Sequence, residues 1–206
     1  MSDRDGYRTI ANAGAARFEI RGSRFLGHAR PVASREAAEE FVEATAAEYD
    51  DATHNVPAYR VRIDSPGEGH LLREYQSDDG EPTGSAGKPA LNVLAQRDLE
   101  NVAVVVTRYF GGTELGVGGL ARAYSRAVTE AVDDGEVVTR RPRERVAVTV
   151  EYDDSGTVRG ILESSEAEFE ADYGAAVKFE ASVPEAEAAG LRDRIRSATS
   201  GRADVE

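Results

Sequence analysis

Asn101-Val102-Ala103-Val104-Val105-Val106-Thr107-Arg108-Tyr109 runs straight into Phe110-Gly111-Gly112-Thr113-Glu114-Leu115-Gly116-Val117-Gly118-Gly119-Leu120. Residues 102–106 are apolar at successive positions, so both faces of this strand are covered and it belongs at the centre of a sheet. The glycine-rich stretch 110–119 is a loop. Beyond it Leu120, Ala123, Tyr124, Ala127, Val128 and Ala131 recur at helical spacing, and Gly135 is expected to stop that helix.

Upstream, residues 90–97 read as a short helix and 77–89 as an irregular loop rich in Gly, Pro and acid. Ala58-Tyr59-Arg60-Val61-Arg62-Ile63 alternates as a strand, Ser65-Pro66-Gly67-Glu68-Gly69 is a turn, and residues 71–76 are its antiparallel partner. Ser34 can cap a helix reaching about Tyr49. Residues 16–20 and 24–29 form a hairpin or one bent strand, punctuated by Gly22-Ser23 and ended by Pro31. Downstream, Arg140-Arg141-Pro142-Arg143 reads as a linker, or as a phosphate contact. Beyond it come a strand (145–152), a helix (155–164), a hairpin (167–173 and 175–183), a helix (184–197) and a possible last strand. That β-α-β-β-α-(β) order is the ferredoxin-like pattern. The fold class expected is α+β, in two domains, 1–140 and 145–206.

The chain has 206 residues, enough for one large domain or two small ones. Hydrophobic residues are 40%, which excludes global disorder. The absence of Cys excludes a disulfide framework, a thiolate metal site and a cysteine nucleophile. No apolar run approaches the ~18 residues of a membrane span. The charged N-terminus is no secretory signal, so a soluble cytoplasmic protein without membrane partners is expected. Net charge is −13, and Lys88 and Lys178 are the only lysines. GC-rich coding would favour Arg over Lys. A halophilic, salt-adapted surface explains the acid excess as well. At 1 M salt the Debye length is about 3 Å, which blunts any inference from net charge to partner.

Chemistry concentrates in the two loops. The first reads Ser77-Asp78-Asp79-Gly80-Glu81-Pro82-Thr83-Gly84-Ser85-Ala86-Gly87-Lys88-Pro89. It fails as a phosphate-binding P-loop, because Pro82 stands where the first Gly is needed and Pro89 where the Mg²⁺-binding hydroxyl is needed. Asp78, Asp79 and Glu81 are candidate oxygen ligands for a hard cation, or solvated turn and helix-capping carboxylates. The second loop opens a helix whose N–H groups, bare of side chains, suit an anion. Alternatively its glycines serve positive φ and close helix–sheet packing. Gly116-x-Gly118-x-x-Ala121 fits the dinucleotide pattern, without the parallel strand and ribose-binding acid that pattern requires. His28, His54 and His70 show no metal spacing, and no G-x-S-x-G elbow exists. Tyr59, Tyr75, Tyr109 and Phe110 are candidates for base stacking or for the core. No cofactor is expected.

Arg108-Tyr109-Phe110-Gly111-Gly112-x-x-Leu115-Gly116-x-Gly118-Gly119-Leu120-x-Arg122-Ala123-Tyr124 resembles the signature of the IMPACT/YigZ family. Ser77-Asp78-Asp79-Gly80-Glu81-Pro82-x-Gly84-x-Ala86-Gly87-Lys88-Pro89 is similar to its other hallmark. Ser23-Arg24-Phe25-Leu26 and Ala52-Thr53-His54-Asn55-x-Pro57-Ala58-Tyr59-Arg60 are weaker matches. Val56 stands where the family often has Cys. The C-terminal stretch, with Glu151-Tyr152 and Asp172-Tyr173-Gly174, is similar to the small second domain of bacterial and archaeal members.

The resemblance implies a ribosomal-protein-S5-domain-2-like N-terminal domain and a ferredoxin-like C-terminal domain similar to the last domain of the translocating elongation factor. It implies an association with translation or RNA, since eukaryotic relatives regulate translation through a protein partner. The leading expectation is a non-enzymatic protein binding RNA or the ribosome, with no catalytic residues. Its anion or RNA contacts are His54, Lys88, Arg108, Gly111, Gly112, Gly116, Gly118, Gly119 and Arg122. The alternatives are an enzyme acting on a nucleotide or phosphorylated small molecule, with phosphate on residues 116–119, and a protein-interaction module. Oligomeric state is not legible.

Overall fold

The computed structural model describes residues 6–65 and 69–206. The expected turn at 65–69 falls outside them at residues 66–68, as does the side chain of His70. The chain divides into two units, residues 7–139 and 140–206.

In the first unit, β1 (Tyr7–Ile10) precedes a five-stranded antiparallel sheet. That sheet is built from β2 (Gly14–Ile20), β3 (Ser23–Pro31), β4 (His54–Ser65), β5 (Gly69–Gln76) and β6 (Val102–Tyr109), in the order β2-β3-β6-β4-β5. The valine-rich strand β6 is central, as its two apolar faces require. Val102, Val104 and Val106 join the core under α2 (Gly87–Gln96) and α3 (Val117–Asp134). Ala103 and Val105 face α1 (Arg35–Glu48) on the other side. β2 and β3 form a hairpin, its two-residue turn held by positive φ at Arg21 and Gly22. Ser34 caps α1, its Oγ accepting the Ala37 N–H at 3.2 Å.

Local details depart from or extend these expectations. α2 begins at Gly87, ahead of Pro89, because a proline in the first turn costs no helix hydrogen bond. Gly135 ends α3 with φ −75°, in the right-handed region; the positive φ lies on Glu136, at 58°. Glycine suits position 135 because a Cβ there would sit 2.8 Å from the Asn12 carbonyl. Close helix–sheet packing falls to Gly14 and Gly27, where a Cβ would meet the carbonyl oxygens of Ala131 and Ala127 on α3 at 2.0 and 2.5 Å. Gly118 and Gly119 have no part in it. Finally, β1 pairs with β7 (Val137–Arg140), two strands of four residues that give periodicity little to register.

The second unit runs β8 (Arg143–Val150), α4 (Tyr152–Glu163), β9 (Glu168–Tyr173), β10 (Val177–Pro184), α5 (Glu185–Ala198) and β11 (Asp204–Val205), with sheet order β11-β8-β10-β9. This is the ferredoxin-like arrangement. Val146, Val148, Val150, Phe179 and Val183 alternate inward to meet Val158, Leu162, Leu191 and Ile195 of the helices. The other face is open and polar. β7 and β8 leave only Arg141 and Pro142 between them, and Arg143 donates to the Ser182 and Glu166 carbonyls rather than standing free as a linker cation.

Candidate functional site

Both motif loops lie in the first unit, held together by hydrogen bonds through the 52–55 segment. The Thr53 hydroxyl accepts the Phe110 N–H at 2.9 Å. The Asn55 N–H donates to Asp79 Oδ2 at 2.5 Å. His54 Nδ1 lies 2.6 Å from the Asp79 carbonyl, which can only accept, so that nitrogen carries the proton.

The first loop is a helix cap followed by a buried acid. Asp78 Oδ1 takes the N–H groups of Ala86 and Gly87 at 3.0 and 2.8 Å, and Oδ2 that of Gly84 at 2.7 Å. Burial would raise the Asp78 carboxyl; the three N–H donors outweigh it and hold the group below its ordinary range. Asp78 thus does for α2 what its N-cap residue, Ala86, cannot. Three residues on, Glu81 is buried. Its Oε1 receives Arg108 Nη1 at 2.5 Å and the Tyr124 hydroxyl at 2.7 Å, and His54 Nε2 stands 3.9 Å away. Burial, then the bond to Glu81, pushes the Tyr124 phenol far upward, so it stays a donor. The first loop is therefore tied through Glu81 to β6 and α3.

Arg108 is 4% exposed, so it is an interior cation and no surface contact. Its guanidinium lies 5.5 Å from both the Phe25 and Phe110 ring centres. Nη2 donates to Ser23 Oγ, and Nε has no partner. Ser23 also accepts the Gly111 N–H at 3.2 Å, drawing the second loop against the β2–β3 turn. A Cβ on Gly111 would lie 1.8 Å from the Gly22 carbonyl carbon, so only glycine fits.

The remainder of the second loop is exposed. Gly112 and Gly116 have φ of 82° and 70° with open space around them. Gly116 is the N-cap of α3, and no side chain caps that helix. Gly118 and Gly119 fill its first turn, and Arg122 stands exposed one turn on, its Nη1 3.5 Å from where a Gly118 Cβ would be. Lys88 is exposed in the first turn of α2. The Ser125 hydroxyl reaches the Pro89 carbonyl at 3.5 Å, so the third turn of α3 lies beside the first turn of α2. Phe110 and Val117 are exposed by 48% and 58%, both within this loop. Val117 was not among the expected contacts; an apolar residue set between Gly116 and Gly118 is its only sequence signal.

Asp78, Asp79 and Glu81, the expected candidates for a metal, are thus each engaged with a different part of the fold. No three His, Asp or Glu side chains among the described residues are grouped to hold a metal ion. No helix among them is long and apolar enough to cross a membrane.

Comparisons with known proteins follow the same division. A family model described as the Impact N-terminal domain matches residues 21–132, and one described as a domain of unknown function (DUF1949) matches residues 148–202. The IMPACT family member YvyE of Bacillus subtilis is 35% identical over 201 residues, covering 97% of this chain and 90% of the relative. The IMPACT family member YigZ of Escherichia coli is 32% identical over 184 residues, covering 89% and 88%. A crystal structure described only as that of a hypothetical protein superposes with a TM-score of 0.66 at 30% identity, covering 98% of this chain and 96% of its own. Eukaryotic proteins named IMPACT homologues match shorter stretches. Matches of this extent, over a fold in which both motif loops close on the Glu81–Arg108–Tyr124 cluster, establish that the chain belongs to the IMPACT family.

Proposed function

We propose that the chain is a translation-associated regulatory protein of the cytoplasm that takes RNA, free or within the ribosome, on the loop surface of its N-terminal unit. The carrying observation is the exposed group formed by Phe110, the uncapped glycine start of α3, and Lys88 and Arg122 on the neighbouring helices α2 and α3. Helix N–H groups and two cations receive phosphate, while an exposed aromatic ring stacks a base irrespective of sequence. The C-terminal sheet is less suited. The exposed face of its central strands carries Arg145, Ala147, Thr149, Lys178, Glu180 and Ser182, with no aromatic residue for stacking. A phosphoryl-transfer enzyme is disfavoured because the motif carboxylates are already bound by backbone N–H groups, Arg108 and Tyr124.

Binding of a short unstructured RNA, followed by anisotropy, tests the reading. Lys88→Ala, Arg122→Ala and Phe110→Ala should each weaken binding about tenfold, from the worth of one charge-assisted bond or one stacked base. Arg159→Ala, in the C-terminal unit, should leave it unchanged. Wild-type affinity in all three loop variants refutes the proposal. Exposed Phe110 and Val117 also favour a protein partner.

A further inference from the structure

The five-stranded sheet ends in two edge strands, β2 and β5, and the two differ. On β2 the exposed positions are Ala15, Arg17 and Glu19, small or charged, which blunts an open edge against further pairing. β9, an edge of the other sheet, exposes Glu168, Glu170 and Asp172. β5 is built otherwise. It is eight residues long, contains neither Pro nor Lys, and pairs with β4 without a bulge from Ala58↔Gln76 to Ser65↔Gly69. No strand of the described residues takes its outer row of N–H and C=O groups.

Along that edge one face is apolar. Leu71 stands opposite Ile63 and Tyr75 opposite Tyr59, with the two tyrosine rings stacked at 5.1 Å between centres. Tyr59 and Val61 pack in the core against α1; Ile63, Leu71 and Tyr75 lie outside it and are exposed by 42%, 62% and 44%. Arg73 occupies the position between Leu71 and Tyr75 on the same face. It is exposed, and among the described residues it has no ion-pair or hydrogen-bond partner. Glu39, the α1 acid that reaches the Tyr59 hydroxyl, is bonded to Arg35. Glu74, next along β5, lies on the other face and is drawn onto the buried Arg60 at 2.8 Å. An open backbone edge, two exposed apolar positions and one uncompensated cation between them therefore follow the two-residue period of a strand.

We propose that β5 takes a sixth strand from a separate polypeptide, whose side chains read apolar–x–acid–x–apolar. The acid stands opposite Arg73, the apolar residues opposite Leu71 and Tyr75, and the two main chains bond along the edge. RNA has no peptide ladder with which to complete that edge. A second copy of β5 is a poor match, because the self-pairing that sets Leu71 against Tyr75 places Arg73 against the Arg73 of the other copy. The surface uses none of the loop residues of the proposed RNA site.

Amide NMR of the full chain, titrated to millimolar concentration with the capped peptide Thr-Val-Thr-Asp-Thr-Val-Thr, tests this. Saturable shifts are expected at the amides of residues 71–75. Arg73→Glu should weaken binding about fivefold, the upper worth of an exposed ion pair, and should reverse the preference toward a peptide with Lys in place of Asp. Arg17→Glu, on the opposite edge strand, should bind as wild type. Two further peptides are N-methylated on alternate residues. The set that removes the N–H groups facing β5 should lose binding about tenfold or more, while the other set binds like the unmodified peptide. The proposal is overturned if residues 71–75 do not shift, if both methylated peptides bind alike, or if Arg73→Glu leaves the preference for Asp over Lys intact. It is also overturned if the chain is a dimer in solution that Leu71→Asp dissociates, which gives the edge to a second copy.

Discussion

Glu81→Gln should destabilise the first unit far more than a surface substitution would. The Glu81 and Arg108 side chains are 3% and 5% exposed, and one oxygen, Oε1, serves both Arg108 and Tyr124. Removing the negative charge leaves a buried guanidinium whose Nε already lacks a partner. Breaking such a pair from one side costs about 3–5 kcal/mol. Tyr124→Phe deletes one bond to the same charged oxygen and should cost about 1.5–3 kcal/mol. Both act on Oε1, so their combination should cost less than the sum. Replacing the pair itself, with Glu81→Leu and Arg108→Met, should be milder than Glu81→Gln alone, because no charge is left stranded.

The assay is amide hydrogen exchange at Val104, Val105 and Val106, in the central strand of the first unit. Loss of about 3–5 kcal/mol raises exchange there by roughly two to nearly four orders of magnitude for Glu81→Gln. Protection within tenfold of wild type would show that water or another group already shares the Arg108 charge, and would refute the account of these motifs as a buried brace.

Gly27→Ala places a methyl 2.5 Å from the Ala127 carbonyl and should abolish soluble expression, whereas Gly112→Ala, in open space at φ 82°, should cost only about 1–2 kcal/mol by thermal melting. The Asp78 carboxyl is depressed in the folded state, so its contribution is complete above its ordinary value of 3.8 and is lost as pH falls through the lower folded value. Amides at the start of α2 should therefore lose protection in that acid window, and Asp78→Asn should remove the pH dependence. If the net charge of −13 is an adaptation to salt, the melting temperature should fall on dilution from multimolar to dilute KCl, and an unchanged value leaves codon usage as the explanation of the composition.

The fold was legible where local pattern and tertiary environment agree. Unbroken apolar character placed β6 at the sheet centre, and alternation placed the ferredoxin-like strands. β1 and β7 escaped because four residues hold barely two periods of alternation. The two loops were legible as motifs, and what each side chain in them does was much less so. Arg108 looks like a surface cation in sequence because nothing local shows that Glu81, 27 positions earlier, enters the core to meet it. Asp78 looks like a metal ligand because its three partners are backbone N–H groups, which residue identity does not encode.

With Arg108 interior, the proposed RNA surface has two exposed cations, Lys88 and Arg122, and that count fixes the salt response expected of it. Each phosphate neutralised on a single strand contributes about −0.7 to the slope of log affinity against log salt, so Lys88 and Arg122 together give about −1.4. Phe110 stacking carries no counterion term, so its share of the affinity grows as salt screens the cations. The proposal is compatible with the net charge of −13, because at about 1 M salt repulsion from the carboxylates dies away within about 3 Å and contact groups alone decide. The measured slope should be near −1.4 for wild type and near −0.7 for either single cation variant, with Phe110→Ala shifting the line without tilting it. A slope several times steeper would show that phosphates are met by a wider set of arginines than this loop surface presents, and would move the RNA site elsewhere on the chain.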